Sequence, residues 1–495
     1  MNIKRAKNEI KNALRAYLAR DAFGAYRIPP IRQRPILLMG PPGIGKTQIM
    51  EQIAKETGVG LVSYTLTHHA RQSALGLPFI ETVQLGGAER TVTAYTMSEI
   101  IASVYREMER TGTKEGILFL DEINCISETL TPMMLQFLQC KTFGNQRLPD
   151  GWMVVAAGNP PEYNKSVREF DVVTLDRVKR IDVEEDFAVW KEYAYRRGIH
   201  GAILSYLEIR RDHFYRVEAT ADGLQFVTAR GWEDLSELMQ VYETLDLPVD
   251  RQVVGQYLQL PRVAADFANY LQLYEKYKRV YRVEEILDGA WEKVRASELA
   301  GAAFDEKLGV LGLLLARLAD SAREAYRLDR LTDALHQDLV HIREGEKMLG
   351  TLLDEKQAAL TRRRDAGSTD KDALFTAARE AERLAAFQQA LALEKVPKGQ
   401  AFERLKALFQ EDVQARADAA DRTDRQLANV FAFLDAAIPN SQELVLFATE
   451  LTANYFTSWF IQNFGCEAYF AHNKQLLFDD TRQRLLREIG SAEPD

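Results

Sequence analysis

The sequence predicts an α/β phosphate-binding core with a parallel sheet and β-hairpin inserts, followed by long helical regions. Three observations predict it. A glycine-rich loop, Gly40–Thr47, stands between an apolar run and a helical segment. Two further apolar runs, Ile117–Leu120 and Trp152–Ala157, read as buried strands with polar residues just past their ends. From about residue 291, proline becomes scarce and alanine, leucine, glutamate and arginine dominate, which is the composition of long helices.

The elements follow in order. Residues 1–24 carry Lys4, Arg5, Lys7, Lys11, Arg15 and Arg20. Glu9 and Asp21 interrupt the charge run and no apolar leader core follows, so the segment is read as an amphipathic helix leading into the core. Ile36–Met39 is the first strand. Gly40-Pro41-Pro42-Gly43-Ile44-Gly45-Lys46-Thr47 then fits the phosphate-loop pattern at every fixed position, and Gln48–Ala54 continues as a helix. Its glycines let backbone N–H groups close around a phosphate at a helix N-terminus. Lys46 would reach the β- and γ-phosphates, and the Thr47 hydroxyl would ligate Mg²⁺. Asp121, at the end of the second strand, can hold the Mg²⁺ water shell, and Glu122 can polarise an attacking water. Asn159, just past the Trp152 strand, could orient that water, although a lone asparagine before proline is more often a turn residue. Arg177 precedes an alternating run, Val178–Val183, which reads as a strand. It has a phosphate to touch only in an oligomer. Thr228 is a helix N-cap candidate, and Arg230 lies in the first turn behind it. A cation there opposes the helix dipole, so a nearby anion would explain it; Glu233 and Asp234 could compensate instead.

The series Gly40–Thr47, Leu118–Glu122, Ala156–Pro160 and Leu175-Asp176-Arg177 resembles the AAA+ ATPases, and within them the MoxR family. The resemblance covers about residues 25–290. It implies that Lys46 and Thr47 are Walker A residues, Asp121 and Glu122 Walker B, and Asn159 sensor 1. It further implies that Arg177 is the arginine finger acting on a neighbour's γ-phosphate and that Arg230 is the sensor 2 arginine of a helical lid. The family often places an arginine after Asp-Glu-Ile-Asn, where this chain has Cys125. Arg180, close behind Arg177, is an alternative finger. The cofactors implied are ATP and Mg²⁺. The assembly implied is a homo-oligomeric ring, a hexamer, and relatives resemble chaperones acting on proteins with a von Willebrand A domain.

The chain is expected to divide into an N-terminal helix at 1–24, a core at 25–183 and a helical lid at 184–290, the last two covered by the resemblance, and an all-α region at 291–495 that the shift in composition marks off and the resemblance does not cover. One hairpin insert is expected at Glu81–Tyr95, turning at Gly86-Gly87, and a second at Lys141–Leu148. His68-His69 lack a third ligand at sensible spacing, so a polar loop is expected there rather than a metal site. Tyr270, Tyr274, Tyr277 and Tyr281 form one helical stripe with the bases Lys276, Lys278, Arg279 and Arg282 mostly off it, which reads as packing rather than a base-stacking platform. In the tail, Ala366–Asp370 is a turn between helices, and Ser441 caps a final aromatic-rich helix running to Gly465. No chemistry is visible after residue 291, so a chain ending near Gly289 is expected to keep ATPase activity.

Composition bounds the alternatives. The 495 residues carry 63 basic and 72 acidic side chains, net −9, which argues against a broadly basic nucleic-acid surface. A nucleic-acid motor and a nucleotide-gated scaffold nonetheless remain alternatives to a protein remodeller. Three scattered cysteines, Cys125, Cys140 and Cys466, suggest neither a zinc site nor a disulfide framework, and a cytoplasmic protein is expected. The best apolar run, Leu308–Leu318, is interrupted by Arg317 and reads as a core helix.

Overall fold

A computed structural model describes residues 1–68, 76–86, 88–127, 130–143, 146–163, 167, 170–220, 223–345, 347–365 and 370–473. His69, Gly87 and the expected turn at 366–369 lie outside the described residues. The chain divides into two compact units.

The first unit comprises Met1–Trp190 with Tyr215–Val217 and Thr228–Gly231. Its centre is a parallel sheet of β1 (Ile36–Met39), β2 (Gly60–Thr65), β5 (Gly116–Asp121), β8 (Trp152–Gly158) and β9 (Lys179–Asp182), in the order β2-β5-β8-β1-β9. Period-2 alternation sends successive side chains to opposite faces. Leu37, Leu118, Leu120, Val154 and Ala156 pack on one face against Ile100, Val104, Met134 and Phe137 of helices Glu99–Thr111 and Thr131–Cys140. Ile36, Leu38, Ile117, Phe119 and Val155 pack on the other against Ile10 and Leu14 of helix Ile3–Leu18 and Ile49 and Ile53 of helix Lys46–Thr57. Both faces are covered, which is why the strands read as continuous apolar runs. The amphipathic N-terminal helix is present, and Lys7 and Lys11 on it both pair with Glu56.

Gly116 shows why β2 and β5 carry glycine at paired positions. A Cβ on Gly116 would lie 2.6 Å from the Trp152 ring and 2.8 Å from the Gly60 carbonyl oxygen. The register also aligns the strand ends. Met39 lies opposite Gly158 and Leu120 opposite Ala156, so Gly40, Asp121 and Asn159 leave the sheet at one edge. Ligands of open parallel sheets bind at that carboxyl edge.

Both expected hairpins are present. β3 (Pro78–Leu85) pairs antiparallel with β4 (Ala88–Tyr95), and β6 (Thr142–Phe143) with β7 (Gln146–Arg147). A further ribbon pairs β10 (Arg216–Thr220) with β11 (Gly223–Val227).

The second unit comprises Lys191–Phe214, Glu218–Val227 and Trp232–Asp495, and its described residues are otherwise helical. Helix Phe304–Arg343, 40 residues and about 60 Å long, is its spine. Leu308, Leu311, Leu314 and Leu318 are buried, as the core-helix reading required. Tyr281 donates a hydrogen bond to Glu306 at 2.8 Å, and Arg416 of helix Ala401–Ala437 pairs with Asp329. The tyrosine stripe is packed: Tyr274 and Tyr281 are buried, Tyr270 and Tyr277 half-buried, and Lys276, Lys278 and Arg279 exposed. Helices Leu349–Asp365 and Lys371–Leu393 run antiparallel, since Lys356 of the first reaches Glu380 of the second at 2.6 Å.

One expectation is corrected. The aromatic segment after Ser441 is two helices, Gln442–Ala453 and Tyr455–Phe464. Ser441 caps the first, but Asn454 breaks it and accepts hydrogen bonds from the N–H groups of Phe456 and Thr457. An asparagine that can cap competes with continued helix. Phe447, Phe456 and Phe460 are buried, and Trp459 meets the Tyr326 ring edge-on at 5.1 Å. No described helix is long and apolar enough to cross a membrane.

Candidate active site

The loop after β1 winds through left-handed backbone at Gly43 and Gly45, with φ of 75° and 91°. Only glycine adopts those angles cheaply. Helix Lys46–Thr57 starts directly behind it, so the free N–H groups of its first turn face the loop.

Lys46 is buried, and its Nζ donates to the carbonyl oxygens of Gly40 at 2.7 Å and Pro41 at 2.8 Å, and to Asn159 Oδ1 at 2.8 Å. Burial pushes its pKa down to about 8; Asp121 and Glu122 oppose that shift and Arg230 adds to it. Thr47 Oγ1 donates to Asp121 Oδ2 at 3.0 Å. The second Asp121 oxygen accepts from the Glu122 N–H at 2.9 Å. Thr47 and Asp121 are thus side by side, a hydroxyl and a carboxylate of the kind that hold hydrated Mg²⁺. Glu122 sits in left-handed backbone, φ 58°, and its Oε2 accepts from Thr67 Oγ1 at 2.8 Å. Arg230 follows the Thr228 cap, whose Oγ1 accepts from the Gly231 N–H at 3.3 Å. A Cβ on Gly43 would lie 3.4 Å from the Arg230 Cβ, so Arg230 stands beside the loop.

The structure therefore brings Gly40, Pro41, Lys46, Thr47, Asp121, Glu122, Asn159 and Arg230 together. Pro42, Gly43, Ile44 and Gly45 complete the loop between them. Arg177 is not joined to them by any bond among the described residues. It is exposed in the turn before β9, where its N–H donates to the Thr174 carbonyl oxygen at 3.1 Å and its side chain makes no hydrogen bond or ion pair among the described residues. Arg180, the alternative finger, is engaged by Asp182 at 2.9 Å.

The phosphate-loop scaffold, the paired Thr47 and Asp121, and the Lys46–Asn159 contact agree with the family comparison. Residues 36–176 match the model of the ATPase family associated with various cellular activities (AAA). This chain carries an AAA ATPase domain.

The AAA domain brings nucleotide binding and, in general, ATP hydrolysis. No curated protein matches the chain. Among solved structures, a candidate ATPase from Cytophaga hutchinsonii ATCC 33406 is 18% identical, over 38% of this chain and 50% of its own, with a TM-score of 0.25. A likeness that low carries no activity across, and the aligned part spans only half of that protein.

Three groups in the AAA domain's site escaped the sequence reading. Asn124 donates through Nδ2 to the Asn159 carbonyl oxygen at 2.7 Å and accepts from the Asn159 N–H at 3.3 Å, fixing that backbone. Its place two residues after Glu122 was a usable signal. Thr67 holds Glu122, and Tyr215 donates to the Pro42 carbonyl oxygen at 3.0 Å. Neither has a local signal. Cys125 half-faces solvent and is in no disulfide among the described residues.

Proposed function

We propose that the protein is an ATP-hydrolysing MoxR-type AAA+ motor that works as a homo-oligomeric ring, a hexamer, and remodels a protein client. The observation that carries this reading is a division of groups. Lys46, Thr47, Asp121, Glu122 and Asn159 cluster at one sheet edge, while Arg177 stands exposed and unengaged among the described residues. In the proposed cycle Lys46 leaves its carbonyl acceptors for the phosphates. Thr47 and Asp121 would hold Mg²⁺, which would supply positive charge against the phosphates. Glu122 accepts the proton of the attacking water, and Asn159 orients that water. Arg230 meets the γ-phosphate within the subunit and Arg177 meets it from the neighbour, so hydrolysis requires two copies. Residues 25–183 would serve as core, 184–290 as lid and 291–495 as the arm that meets the client. The partner class proposed is a protein with a von Willebrand A domain, and the acidic balance favours protein over nucleic acid.

The test uses four variants. Lys46→Ala should lose nucleotide binding, and Glu122→Gln should bind ATP without hydrolysing it. Arg177→Ala should bind ATP yet be inactive alone. Mixed with Lys46→Ala it should regain turnover, because each protein supplies the half-site the other lacks. Mixed rings that form and stay inactive would remove Arg177 from the trans role, and recovery with Arg180→Ala in its place would move the role to Arg180.

A further inference from the structure

The second unit contains an open pocket of about 490 Å³, lined by residues of that unit alone and far larger than a water site. Its volume falls in the range of small-molecule pockets. Leu204, Leu311, Leu315 and Phe447 supply an apolar wall. The spine helix crosses it and contributes Asp320.

The charges around this cavity are unequal in their commitments. Each lysine and arginine lining it is already held by a carboxylate that does not line it. Arg323 and Arg327 share Asp372, at 2.8 and 2.6 Å. Arg197 and Lys371 share Glu237, at 3.7 and 3.0 Å. Arg317 pairs with Glu284, and Lys278 lies 3.9 Å from Glu275. The lining carboxylates differ from one another. Glu208 and Glu450 both hold Lys191, and Glu243 takes the His200 ring at 3.1 Å. Asp320 accepts no hydrogen bond among the described residues; its nearest cation is Arg317 at 3.9 Å. Its side chain is 71% exposed, and partial desolvation still raises its pKa against the opposing pull of Arg317, Arg323 and His200.

We infer that this cavity is a binding site for a small organic cation, an amine or guanidinium on an apolar body, with Asp320 as its counter-ion. The apolar wall takes the body, and the cation supplies the donors that Asp320 lacks. No cluster of three His, Cys, Asp or Glu side chains spaced for a metal occurs among the described residues, so the carboxylate selects an organic rather than an inorganic cation. Because helix Gly201–Ile209 and the spine both line the cavity, a bound cation would brace the two together.

The experiment titrates the full-length protein with 2-phenylethylamine, and with 3-phenylpropanoate as its charge-reversed counterpart, by saturation-transfer NMR and calorimetry. Saturable binding of the amine, little of the carboxylate, and a loss of about tenfold or more in Asp320→Asn are expected. Ala319→Trp fills the cavity without changing charge and should abolish binding. Lys46→Ala should leave binding intact, which separates this site from the nucleotide site. Absence of saturable amine binding at about 5 mM, equal binding of the carboxylate, or undiminished binding in either cavity variant overturns the inference.

Discussion

At the scale of residues, Lys46 is the group whose charge state matters most. Its folded pKa is about 8 against an ordinary 10.5, because burial disfavours the ammonium. Between those values the unfolded chain binds more protons at this group than the empty folded protein. Unfolding free energy therefore rises with pH across that window, as the buried charge is lost. Nucleotide affinity should move the other way, since phosphates need the ammonium. We expect ATP to bind about tenfold more weakly at pH 9 than at neutral pH, following the protonated fraction. Calorimetry on wild type and Lys46→Arg checks this: the arginine stays charged, and an equal decline in both proteins would exclude Lys46 as its source. Asn124 gives a second residue-level prediction. It holds Asn159 through two bonds to its backbone without contacting Lys46 itself. Asn124→Ala should keep ATP affinity within a few-fold and lower kcat by roughly 10- to 100-fold. Steady-state kinetics separate the two effects, and a rise in KM alone would make Asn124 a binding residue.

At the scale of elements, legibility followed sequence distance. The phosphate loop was readable because its work is done by backbone angles at Gly43 and Gly45 and by Lys46 just behind them. β1, β5 and β8 were readable because burial on both faces leaves uninterrupted apolar runs. Thr67 and Tyr215 were not, because they meet Glu122 and Pro42 across 55 and 173 residues, and only the closed sheet brings them near. The break at Asn454 was missed because a helix-compatible apolar pattern continues through it, while capping is a local competition that the pattern does not report. Gly116 supplies the prediction at this scale. A methyl there must displace Trp152 or push β2 away from β5. Gly116→Ala should cost about 1–3 kcal/mol, read as a lower urea midpoint at unchanged slope. An unchanged midpoint would show that the Trp152 ring moves aside freely.

At the scale of the whole molecule, residues 191–214 and 232–290 belong to the same compact unit as the tail. The tyrosine stripe closes onto Glu306, Asn429 bonds the Leu287 carbonyl oxygen at 2.8 Å, and Glu450 takes Lys191. A chain ending at Gly289 would lose all three partners, together with the apolar side of the spine. The sequence alone suggested that such a chain keeps ATPase activity. The packing predicts instead that its helices from 191 to 289 lose cooperative unfolding and expose apolar surface. Near-UV circular dichroism, dye binding and limited proteolysis against the full chain test this, and matching proteolytic patterns over residues 1–289 would refute it.

That shared core also sets an order of events during synthesis. Helix Gly201–Ile209, with Ile203, Leu204 and Leu207 buried in the finished protein, emerges well before Phe304–Arg343 is complete. At ordinary translation speeds roughly seven to thirty seconds separate the two. During that interval a nascent apolar segment has no native surface to cover it. The sheet strands, all within residues 36–182, can already be settling on the ribosome. The protein's exposure to misassembly is therefore concentrated in the middle of its own translation, and slower elongation between residues 210 and 343 should lower the yield of native protein.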